Sequence, residues 1–293
     1  MFFGHSNRLC KHAYNRYPEL RRAFQQSPLK QQIDRFEKGE DTTGMPDGYG
    51  LYMPVSPNKP LFTTFIEKAV IPNEQIELIN AKGTIKIPFD PKTDVLFDGG
   101  DYIFILNSQA PYTDAYTGDN KLLAGMALTH LLGIPKKRIF NSVSLTPDHI
   151  GLLERMKESA FEYLSNQQNR IKLVNKVRVI LENKLTANKI PDELRAHLIN
   201  TFENDSKSFI KFPMIKSNVE FYFHPSPCHS VGHLHMHILP KLFRTSRLHD
   251  DVSVPVDTII KYLKTLANAN NFGRKRQNSL KRLKSDLQKL NKI

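Results

Sequence analysis

The chain has 293 residues, 40% of them hydrophobic, enough to pack one large domain or two ordinary ones. No apolar run reaches the roughly eighteen residues of a membrane-spanning helix, and the opening MFFGHSNRLCKHAYNRYP lacks the apolar core and small-residue cleavage site of a secretory signal, so a cytoplasmic protein is expected, with nuclear location or signal-less export left open. A formal charge of +13 favours anionic partners without choosing among nucleotides, nucleic acid and acidic membranes, and two cysteines, Cys10 and Cys228, exclude a disulfide framework and a CxxC zinc site.

Residues 1 to about 40 suggest helices, followed by the loop-like EDTTGMPDGYG. QIELI and TIKIPF flank NAKG as one predicted hairpin, and DVLF and DYIFIL flank DGG as a clearer one. After the polar QAPYTDAYTGDN, the segment LLAGMALTHLLGIP reads as a strand ending at Pro135, with His130 on the face of Leu128 and Leu132. A histidine there is either a satisfied core residue or an active-site group in an apolar wall. SLTPDHIGLLERM carries a helix start, with Thr146 as cap, Pro147 in the first position and Asp148 complementing the dipole. His149 then falls in the first turn and is expected to be exposed. Residues 167–217 read as a helical insertion, after which VEFYF leads through HPSPCHS into VGHLHMHILP, residues 231–240.

The last 23 residues, NFGRKRQNSLKRLKSDLQKLNKI, hold eight basic residues against one acid, with Leu280, Leu283, Leu287 and Leu290 at helical spacing. They predict a basic amphipathic helix, either docked or solvated, or one that contacts nucleic acid or a membrane.

In VGHLHMHILP the spacing of two puts His233, His235 and His237 on one face of a strand and Leu234, Met236 and Ile238 on the other. Three chemistries compete for the row. A metal site is one, although no acidic ligand of the expected kind follows in sequence, and no metal is assigned. A structural row is the second, and it requires a partner for every buried ring. Nucleophilic attack on phosphorus is the third. Crowding and desolvation favour the third, because both oppose protonation and leave at least one ring neutral near pH 7.

GHLHMHILP resembles the His-φ-His-φ-His-φ-φ signature (φ apolar) of the histidine-triad superfamily of nucleotide hydrolases and transferases. THLLGIPKKRI is similar to a stretch of its nucleoside phosphoramidase branch, SLTPDHIGLLERM to a helix start of its scavenger mRNA-decapping branch, and DVLFDGGDYIFILN to the hairpin that opens the superfamily core. The resemblance covers about residues 90–165 and 218–265. It implies an α+β fold, a HIT-like antiparallel sheet with flanking helices, over residues 61–265. Residues 1–60 are then an N-terminal extension, about 167–217 the helical insertion, and 266–293 a basic C-terminal helix or tail.

The resemblance also implies roles. His235 would be the nucleophile, His237 would contact the scissile phosphate or its bridging oxygen, His233 would orient the nucleophile, and His130 would back the triad. Ser230, with the amides around Val231 and Gly232, would bind a phosphate oxygen. Asn107 stands where the superfamily commonly places an acid on the ribose hydroxyls, His229 where it often has Gln, and Arg138 where the phosphoramidase stretch ends in His. The implied substrate is a dinucleoside polyphosphate, a cap-like dinucleotide, a nucleoside phosphoramidate or an adenylated nucleic acid end. No cofactor is implied, and a homodimer is. The competing readings are a catalytically silent nucleotide- or nucleic-acid-binding protein and a metal-dependent hydrolase.

Overall fold

The computed structural model describes residues 13–26, 29–38, 75–80, 83–88, 95–107, 127–137, 139–187, 189–225, 233–244 and 253–270. Both polar loops, the basic tail, Cys10, Arg138 and the stretch from Cys228 to Gly232, with Ser230 and His229, lie outside the described residues.

Helices α1 (Ala13–Gln25) and α2 (Leu29–Glu37) come first. Ala13, Tyr17, Leu20 and Phe24 recur every three or four residues, so one stripe of α1 turns inward and is buried. Two polar groups on this helix also reach inward: the Tyr17 hydroxyl donates to the Ser142 carbonyl at 2.6 Å and the Arg21 guanidinium to the Val143 carbonyl at 2.9 Å. From α2, a Glu37 carboxylate oxygen accepts from Phe140 N–H at 3.0 Å and from the Ser144 hydroxyl at 2.9 Å. Segment 139–145 is thus gripped by both N-terminal helices.

Strands β1 (Gln75–Asn80) and β2 (Gly83–Pro88) pair antiparallel, as the NAKG signal predicts. Six further strands form one antiparallel sheet: β3 (Val95–Asp98), β4 (Tyr102–Leu106), β5 (Leu131–Pro135), β6 (Val219–Phe223), β7 (Met236–Pro240) and β8 (Val254–Pro255), in the spatial order β3-β4-β5-β7-β6-β8. The β3-β4 turn uses its glycines specifically. Gly100 adopts φ +81, a region that L side chains avoid, and a Cβ on Gly99 would sit 2.5 Å from the Tyr102 ring. Asp98 closes the turn by accepting from Gly100 N–H at 2.9 Å and by pairing with Lys136, which holds its carboxyl below the usual range.

Helix α3 (Ile150–Ser165) follows a 3-10 turn at Pro147–His149. His149 corrects the expectation of an exposed ring. It is half-buried, and its Nδ1 lies 3.0 Å from Thr146 N and 2.9 Å from Thr146 Oγ1, taking the part that Glu or Gln plays in a capping box. Burial, and then the charge of Lys137, push its pKa down. Helices α4 (Gln167–Ala187) and α5 (Asp192–Lys211) fill the stretch read as a helical insertion, and a last helix, α6, covers residues 256–270. Arg170 ties the insertion together: its guanidinium donates to the Ser165 carbonyl at 3.0 Å and, across to α5, to the Ile210 carbonyl at 2.8 Å. Among the described residues no helix is long and apolar enough to cross a membrane.

The fold is therefore α+β, with a six-stranded antiparallel sheet and several helices. Tyr102, Phe104, Leu131, Met236, Ile238 and Phe223 share one sheet face and join α1 and α3 to α6 in a single apolar cluster. Every residue of β5 and β7 is buried, so these central strands read as apolar runs and His237 is the polar exception. Burial of each large side chain in this cluster contributes roughly 1.5–3 kcal/mol, which fixes the sheet under the helices.

A candidate active site built from four imidazoles

The strand expected over the whole histidine row is shorter in the structure. β7 begins at Met236, so His233 and His235 precede it. Their segment makes other contacts: Leu234 N–H donates to the Ile139 carbonyl at 2.8 Å, and the His233 ring nitrogen Nε2 lies 3.1 Å from the Pro135 carbonyl. Likewise the strand read through LLAGMALTHLLGIP is confined to Leu131–Pro135, and His130 sits just ahead of it. All four of these histidines are buried, with His233 wholly so and His130, His235 and His237 at 5–7% exposure.

Register explains how they meet. His237 pairs with Leu132 of β5 on one side and with Tyr222 of β6 on the other. His130 lies two residues before Leu132 and His224 two residues after Tyr222, so each is a diagonal neighbour of His237 on the same face. The ring centroids of His130, His235 and His224 lie 5.0, 4.9 and 4.4 Å from that of His237. His224 is held in turn by Ser253 Oγ, 3.1 Å from its Nε2, while Asn141 Nδ2 donates to its carbonyl at 3.1 Å. The His224 imidazole was missed from the sequence, yet the alternation of VEFYFH already puts residues 220, 222 and 224 on one face.

Hydrogen bonds order the rings. His235 Nδ1 is 2.8 Å from the His233 carbonyl, which can only accept, so Nδ1 carries the proton and Nε2 a lone pair. His130 Nε2 is 2.9 Å from His237 Nδ1, and Asn107 Nδ2 is 2.9 Å from His130 Nδ1. Asn107, which the resemblance implies at a sugar-binding position, here rests against a histidine.

The electrostatics all point one way. Burial pushes the His130 pKa down to about 3, and positive charge on His224 or His235 would push it further. Burial lowers that of His237 well below the ordinary value, again with charge on its three imidazole neighbours opposing protonation. His235 is lowered by burial too, partly offset by its bond to the His233 carbonyl. At neutral pH these three rings are uncharged. Among the described residues no group of three or more His, Cys, Asp or Glu is arranged to hold a metal ion.

Comparison with known proteins adds nothing to this geometry. No family model, no curated protein and no solved structure matches the chain. What the arrangement offers chemically is a neutral, buried imidazole with Nδ1 bonded to a carbonyl and a lone pair on Nε2, beside a second ring whose Nε2 is buried without a hydrogen-bond partner among the described residues.

Proposed function

We propose that the chain is a histidine-triad type nucleotide hydrolase or nucleotidyl transferase, with His235 as the nucleophile. The observation that carries this reading is the 2.8 Å contact between His235 Nδ1 and the His233 carbonyl. It directs the lone pair of a neutral ring to Nε2, the condition an imidazole must meet to attack phosphorus. The sequence resemblance supports the same assignment through GHLHMHILP, THLLGIPKKRI and SLTPDHIGLLERM.

In the first step His235 Nε2 bonds to the phosphorus attached to a nucleoside, and the bond from phosphorus to the leaving oxygen or nitrogen breaks, its electron pair going with the leaving group, which takes up a proton from solvent where it departs as an amine. The ring, still protonated at Nδ1, becomes a nucleotidyl-imidazolium, whose positive charge the His233 carbonyl stabilises. In the second step water attacks phosphorus and loses a proton to solvent, the P–N bond breaks, and its pair returns to Nε2. One difficult displacement becomes two easier ones. Dinucleoside polyphosphates, cap-like dinucleotides, nucleoside phosphoramidates and adenylated nucleic acid ends all contain the required bond. Ser230, the Val231 and Gly232 amides and His229 are proposed as the phosphate-binding group.

The test is release of nucleoside monophosphate from a panel of these substrates, with chelator present, by the full chain and by His235→Ala. Release that disappears in the variant is expected. Chelator-sensitive release, or oligonucleotide binding with no product from any substrate, would overturn the reading in favour of a metal-dependent hydrolase or a silent binding protein.

A further inference from the structure

We infer that Asn107 is a positioning residue that sets the tautomer of His237 by way of His130, so that His237 presents an N–H at Nε2 to the reacting phosphoryl group. The inference rests on the phosphoryl-transfer reading for its purpose, but its chemistry follows from contacts alone.

Asn107 touches His130 twice. Its backbone N–H donates to the His130 carbonyl at 2.8 Å, and its side-chain Nδ2 lies 2.9 Å from His130 Nδ1. An amide nitrogen only donates, so His130 Nδ1 is the acceptor and holds a lone pair. A neutral ring with a lone pair on Nδ1 has its proton on Nε2, and that atom faces His237 Nδ1 at 2.9 Å. His237 Nδ1 must then accept. Its own proton is left on Nε2, the buried atom that has no hydrogen-bond partner among the described residues. An orphaned buried donor is unfavourable unless something arrives to accept from it, and a phosphoryl or bridging oxygen is the acceptor the proposed reaction brings. The neutral ring donates a hydrogen bond to developing negative charge and transfers no proton, so the electron balance of the displacement is unchanged.

The relay points one way because the amide presents its Nδ2 to His130. A carboxylate at the same position accepts instead. In Asn107→Asp with His130 neutral, His130 Nδ1–H would donate to the carboxylate, its Nε2 would accept from His237 Nδ1–H, and His237 Nε2 would turn from donor to lone pair. Once His130 takes up a proton beside that carboxylate, both of its nitrogens donate and the original order at His237 returns. Among the described residues, the other titratable groups beside this pair are His224 and His235, both within ring contact of His237, and Tyr222, which stands opposite His237 in the register.

The experiment is 15N NMR of histidine-labelled full chain, wild type and Asn107→Asp, at pH 9 and at pH 6, alongside kcat and KM on the best panel substrate. In the wild type His237 is expected to show a protonated Nε2 and an unprotonated Nδ1. At pH 9 the variant is expected to show the reverse, with kcat down by about 100-fold and KM nearly unchanged. Toward pH 6 its activity relative to wild type should recover, a response that loss of packing alone would not give. A wild-type His237 protonated at Nδ1, or a variant whose tautomer at pH 9 matches wild type, overturns the proposal. If Asn107→Asp fails to fold, the wild-type tautomer decides alone. Correct tautomers in a protein that turns over no panel substrate would count against the phosphoryl-transfer reading and not against the relay.

Discussion

Replacing His130 by Asn should remove one defined share of the acid sensitivity of the fold. An unfolded histidine takes up its proton near its ordinary value of 6.5, whereas His130 in the fold resists protonation down to about 3. Between these values the unfolded chain binds the extra proton, so stability rises with pH and is lost as pH falls. The contribution is intact above about pH 7 and its loss is complete near pH 3, a total of about 5 kcal/mol at 1.36 kcal/mol per pH unit. From pH 8 to pH 5 the same linkage removes about 2 kcal/mol. Urea unfolding of wild type and His130→Asn at both pH values isolates the share that passes through His130, including its coupling to His237. The wild type should lose about 2 kcal/mol more than the variant between pH 8 and pH 5. Equal pH dependence in the two would refute the claim that the fold holds this imidazole neutral.

Two further outcomes test how the site is braced. Gly99→Ala places a Cβ 2.5–2.6 Å from ring carbons of Tyr102, whose hydroxyl is tied to Ser159 Oγ at 2.7 Å, so a loss of about 1–3 kcal/mol is expected by thermal unfolding, and a wild-type midpoint would show that the ring yields freely. Glu37→Ala removes the shared acceptor of Phe140 N–H and Ser144 Oγ and should lower stability in urea by about 2–4 kcal/mol, with Glu37→Gln losing less because it keeps an accepting oxygen. The Leu234 amide, bonded to the Ile139 carbonyl in the same braced segment, should exchange faster in Glu37→Ala, and unchanged exchange would separate the N-terminal helices from the histidine row.

Local chemistry wrote much of this fold into the sequence. Asp98-Gly99-Gly100 between alternating apolar runs specifies the β3-β4 hairpin, and Thr146-Pro147-Asp148 specifies the start of the helical segment. Strand lengths were less legible, because an apolar run such as LLAGMALTHLLGIP does not say where pairing begins. His233 and His235 leave the ladder because Ile139 and Pro135, far away in sequence, supply their segment with an acceptor for the Leu234 amide and a contact for the His233 ring. His224 and the second contact of Asn107 depend on which residue of one strand lies opposite which residue of another. That is a property of register, which one histidine or asparagine cannot announce.

The position of β7 also sets the order in which the site can be completed during folding. β3, β4 and β5 are sequential and can pair as they emerge, but the far edge of β5 is closed by β7, about a hundred residues later, with all of α3 to β6 between. Until then the apolar edge Leu131–Pro135 is an open template for other strands. Assembly of the histidines is consequently a slow, high-contact-order event that coincides with sealing that edge, so a chain stalled before β7 lacks the site and carries a surface prone to aggregation.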